Sequence, residues 1–79
     1  MNKNTIYVCE YGWIVVGKEV ERNDGGIQII EASVVRKWFN GRGIGGLAKE
    51  IYKNEYTLDE IGNVTIQKGK ILFEIPCEW

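Results

Sequence analysis

Histidine is missing from this sequence altogether, and cysteine, proline and long apolar runs are scarce. Without histidine there is no Ser–His or Cys–His nucleophile pair and no imidazole ligand for a metal. The two cysteines, Cys9 and Cys77, are too few and too far apart in sequence for a zinc site. Met1 to Thr5 is polar and no long apolar run follows, so neither a signal peptide nor a membrane span is expected. The cytosol keeps thiols reduced, so both cysteines are expected to be free, on strands. Excess positive charge is absent too: ten basic residues stand against eleven acidic ones, a net charge of −1. A protein dedicated to nucleic-acid polymers would carry a basic surplus. No cofactor is implied.

Seventy-nine residues with 44% hydrophobic content fit one globular domain spanning residues 1–79. A chain this short buries only about 60–65% of its unfolded surface, so its own core is marginal. With no disulfide or metal to staple it, self-association into a homo-oligomer is expected.

Ile6 to Tyr11 and Trp13 to Val20 alternate β-branched and aromatic residues around Tyr11-Gly12, which predicts a strand, a tight turn and a second strand. Asn23-Asp24-Gly25-Gly26 is a turn signal, and Ile27 to Glu31 follows as a third strand. Val34, Val35, Trp38 and Phe39 recur at helical spacing behind Ser33, a residue suited to capping a first helix. Leu47, Ala48, Ile51 and Tyr52 share one face of a second, ending near Asn54. Thr57-Leu58-Asp59-Glu60 matches a capping box. Val64 to Gln67 and Ile71 to Cys77 read as a closing hairpin around Lys68-Gly69-Lys70, with Ile71, Phe73, Ile75 and Cys77 inward and Pro76 at an edge. The expected fold is α+β: a small antiparallel sheet of about five strands with two short helices inserted after the third strand.

The stretch from Ala32 to Lys53 gathers the candidate site. Five basic residues, Arg36, Lys37, Arg42, Lys49 and Lys53, stand there against Glu50 alone. A local basic patch on a near-neutral chain suits a small anionic ligand better than a polyanion. Gly41-Arg42-Gly43-Ile44-Gly45-Gly46 precedes the second helix, where glycines and free N–H groups bind phosphate well. The spacing matches the dinucleotide fingerprint, but no strand leads directly into it. Leu47 and Ala48 also stand where a P-loop needs Lys and Ser/Thr. A plain helix–helix turn explains the same glycines. Arg36, Lys37 and Arg42 are the candidate phosphate clamps, Gly43, Gly45 and Gly46 the candidate amide donors, and Trp13, Trp38 and Tyr11 the candidate stacking surfaces. Solvated charge, a core role for Trp38 and oligomer contacts for Trp13 and Tyr11 are the ordinary alternatives. Asp59 and Glu60, the only adjacent carboxylates, are accounted for by capping, and no catalytic residue is assigned.

Ala32-Ser33-Val34-Val35-Arg36-Lys37-Trp38 and Gly41-Arg42-Gly43-Ile44-Gly45-Gly46-Leu47-Ala48 resemble a family of small phage- and prophage-encoded proteins with a core like A-S-V-I-R-R-W-G-T-T-x-G-L-G-E-L-A. Gly12-Trp13, Leu58-Asp59 and Gly62-Asn63-Val64 extend the likeness, and Arg36, Trp38, Gly43, Gly45, Leu47 and Ala48 match the core. Phe39-Asn40-Gly41-Arg42 and Gly46 depart from it, removing hydroxyls that a ligand could use. The resemblance implies a viral accessory protein acting in the host cytoplasm. The expected function is to sequester, without catalysis, a phosphate-bearing nucleotide signal of antiphage defence. The alternatives are a module that inhibits a host defence protein directly and, less favoured without histidine, a nucleotide-cleaving enzyme.

Overall fold

The computed structural model describes residues 3–38 and 41–79. Five strands form one sheet: β1 (Thr5–Cys9), β2 (Ile14–Asn23), β3 (Gly26–Trp38), β4 (Tyr56–Ile66) and β5 (Ile71–Pro76). Their order across it is β4-β3-β2-β1-β5, every neighbouring pair antiparallel. The first hairpin turns at Glu10–Gly12 and the second at Asp24-Gly25, both where the turn residues stand in the sequence.

The α+β expectation is corrected here. No α-helix occurs among the described residues; the helical segments there are short 3₁₀ turns at Glu10–Gly12, Ile44–Ala48, Glu50–Glu55 and Lys68–Lys70. The stretch read as the first helix is the second half of β3, which runs unbroken through Val34, Val35 and Trp38. Phe39 and Asn40, assigned to that helix and to the start of the glycine turn, lie outside the described residues. The physical reason is that a helix of six or so residues cannot sustain itself. β-Branched Val34 and Val35 instead gain ladder partners, Val34 facing Val15 on β2 and Asp59 on β4, and Val35 facing Leu58 on β4. Thr57–Glu60 lies within β4 and caps nothing. The closing hairpin is corrected too, because β5 pairs with β1 rather than β4. Phe73, expected inward, is exposed. Pro76 does end an edge strand.

Bulges in β2, β3 and β4 coil the sheet so that both faces bury apolar residues. Glu31 takes a left-handed φ of 51° at one of them. The alternation of β3 shifts by one there, so Ile27, Ile29, Ala32 and Val34 all serve the same side. That side also buries Tyr7, Cys9 and Val15, with Ile66 and Ile71 packed against them. The opposite side buries Ile6, Val16 and Val35 beneath Leu47, Ala48, Tyr56 and Cys77. Gly17 is required at the crossing, since a Cβ there would collide with Ile29 Cγ2. Cys9 and Cys77 therefore belong to different faces, and both are free and buried.

The chain's last residues fasten the 3₁₀ segment to the sheet. Cys77 donates its N–H to the Asn4 carbonyl (2.9 Å), Glu78 to the Ala48 carbonyl (2.8 Å), and Trp79 Nε1 to the Leu47 carbonyl (2.8 Å). On the other side, the buried Tyr7 hydroxyl donates to Glu19 (2.9 Å), whose carboxylate Arg22 ties to Glu74. Burial, reinforced by Glu19, pushes the Tyr7 phenol well above its usual range, and the Arg22 hydrogen bonds hold Glu19 below the usual carboxylate range.

Candidate functional site

The turn between β1 and β2 closes with a Cys9 N–H to Trp13 carbonyl bond of 2.8 Å. Two successive left-handed residues make it tight: Gly12, which adopts φ 79° freely, and Tyr11, at φ 61°. A bulky side chain in that region is uncommon and strained. It is also unpacked. The Tyr11 side chain is 94% exposed and the neighbouring Trp13 60% exposed.

Two residues beyond the Val15–Val34 pair, Trp13 just before β2 and Arg36 on β3 border the same groove. Asp59 faces Val34 from β4, diagonal to Arg36. Arg36 Nε lies 3.0 Å from Asp59 Oδ2, with both side chains about half exposed. Together Tyr11, Gly12, Trp13, Val34, Arg36 and Asp59 line an open groove of about 460 Å³. Apolar rings form one part of it and an ion pair another. An exposed pair of this kind adds only about 0.2–1 kcal/mol to stability, so it is replaceable without unfolding.

The glycine segment does something else. Ile44–Ala48 is a five-residue 3₁₀ turn in which Gly46 N–H already donates to the Gly43 carbonyl (3.4 Å). The Gly43 carbonyl also accepts the Tyr56 hydroxyl. Gly46 is buried, and a Cβ there would collide with that hydroxyl and with Arg42 Cβ. Arg42 lies over the Tyr52 ring, 3.7 Å from its centroid, and pairs with Glu55 at 3.2 Å. The expected helix start is not formed: Gly45 and Gly46 lie within this 3₁₀ turn and Gly43 immediately before it. Gly45 is exposed, and a Cβ there would meet open space.

Three expected ligand residues, Tyr11, Trp13 and Arg36, thus meet in one place. Trp38 does not join them: half-buried, it packs in the core beneath Leu47 and Ala48, its ring 5.6 Å from that of Tyr56. Lys37 is exposed at a register position opposite Thr57. Asp59 is the member that sequence reasoning missed, because T-x-x-E looked like a cap. The alternation of Tyr56 and Leu58 with Thr57 and Asp59 is the strand signal in this stretch. Compared with known proteins, the sequence matches no family model, no curated protein and no solved structure. Among the described residues no helix is long and apolar enough to cross a membrane.

Proposed function

We propose that the protein is a non-catalytic binding protein that sequesters a nucleotide in the Tyr11–Trp13–Arg36 groove. The observation that carries this reading is the convergence on one cavity of two exposed aromatic rings from the β1–β2 turn and a guanidinium from β3. Its volume of about 460 Å³ suits a small molecule. Rings of this kind stack nucleobases irrespective of sequence. In this reading the ligand's phosphate stays hydrated at the groove's open mouth. Within the phage context that the resemblance implies, the ligand is a defence signal held in the host cytoplasm and released intact.

Thermal unfolding against cyclic oligonucleotides, mononucleotides and ADP-ribose derivatives tests this. A ligand at a hundredfold excess over Kd adds about 2.7 kcal/mol, several degrees in a domain this small. The expected result is a shift with a compound that is recovered unchanged, lost in Arg36→Ala and Trp13→Ala while both variants stay folded. Loss of the compound on incubation would support an enzyme instead.

A second reading, a module that docks on a host defence protein, is favoured by a separate observation. Leu72 and Phe73 on the edge strand β5 are exposed and do not line the groove. The homo-oligomer expected from the chain's size has the same apolar edge available. A stoichiometric protein captured from host lysate by wild type but not by a Leu72→Ser/Phe73→Ser variant would favour docking, and sedimentation of the purified protein reports self-association.

A further inference from the structure

We infer that the groove selects a guanine base, read by the Arg36–Asp59 pair. This rests on the nucleotide reading above and adds the identity of the base. Trp13 and Tyr11 offer faces on which any base stacks, so the choice among bases falls to the polar groups beside them. Those groups are a guanidinium and a carboxylate in an ion pair, with Nε 3.0 Å from Oδ2. A guanidinium has five N–H donors and a carboxylate about four acceptor sites, so their ion pair leaves both with capacity to spare. A donor and an acceptor therefore stand side by side next to an aromatic platform.

Guanine carries the complementary edge. Its O6 accepts, and its adjacent N1–H and N2–H₂ donate. Arg36 meets the first and Asp59 the second, without separating the ion pair. Adenine places an amino donor and the bare N1 lone pair at the same positions, so its amino group faces the guanidinium and its lone pair the carboxylate. A site whose polar groups are mismatched in this way loses affinity because desolvated donors and acceptors go unpaired.

The test measures binding of GMP, AMP and XMP to the wild type and to Asp59→Asn, by tryptophan fluorescence and calorimetry, with cyclic di-GMP and cyclic di-AMP as a second pair. Guanine ligands are expected to bind at least about tenfold more tightly than adenine ligands to the wild type, the discrimination typical of a bidentate base contact. Asp59→Asn is expected to lose GMP by a similar factor and to gain XMP. The new amide accepts from N1–H and donates to the 2-oxo group that replaces guanine's amino group. A gained ligand cannot arise from misfolding. Equal binding of GMP and AMP overturns the base readout and leaves the groove reading standing. Binding of none of the five compounds overturns both.

Discussion

Tyr11 holds a left-handed backbone with its ring in solvent, so it contributes strain and no packing to the fold. Such a residue is kept for something other than stability. Tyr11→Gly relieves the backbone and removes the ring together. The expected outcome is a protein more stable by up to about 1 kcal/mol in urea titration, yet weaker in nucleotide binding. A destabilised variant with unchanged affinity would reverse the assignment and make the tyrosine structural. Arg36 and Lys37 teach a related point. Positive charge in the first turn of a helix opposes its dipole, and that conflict suggested a site. The structure removes the conflict by removing the helix. The charge pattern was better evidence against the helix than for a ligand.

Hairpins were readable in the sequence because their information is local: Tyr11-Gly12 and Asn23–Gly26 mark the turns, and alternation marks β1 and β2. The second half of β3 was not. Val34, Val35 and Trp38 fit helical spacing and strand alternation alike, and the arbiter is pairing with β2 and β4, which lies far away in sequence. The β1–β5 pairing is still less local. For the site, the residue types were readable and their meeting was not, since it depends on register between three strands. The glycines separate by context as well. Gly46 is confined by Tyr56 and Arg42 while Gly45 borders open space. Gly46→Ala is therefore expected to cost about 1–3 kcal/mol, and Gly45→Ala less than about 0.5 kcal/mol, by denaturant midpoint. An anion-binding role for this turn predicts instead that both variants lose ligand equally.

Across the whole molecule, two cores on opposite sides of one sheet share β1, β2 and β3, so each depends on the other's strands. Both contain a group that burial keeps protonated. Cys77 is pushed up to about 11 and Tyr7 is raised further. For groups raised on folding, the stabilisation is complete below the unfolded pKa, about 8.5 for a thiol and about 10 for a phenol. It is lost as pH rises through the folded value, because the unfolded chain releases the proton first. Urea midpoints should therefore fall from pH 8 to pH 11, by an amount on the order of 2 kcal/mol for Cys77 alone. Cys77→Ala should flatten the part of the curve nearest pH 9; an unchanged slope would exclude the thiol. The adjacency of β1 and β5 bears finally on how the protein is made. While the ribosome is still delivering Ile71 to Trp79, β1 lacks its outer partner and the Leu47 carbonyl lacks Trp79. The emerging chain can form its hairpins but not seal either face. Folding therefore waits on this long-range strand pairing, and its pace is set by that pairing rather than by the local hairpins.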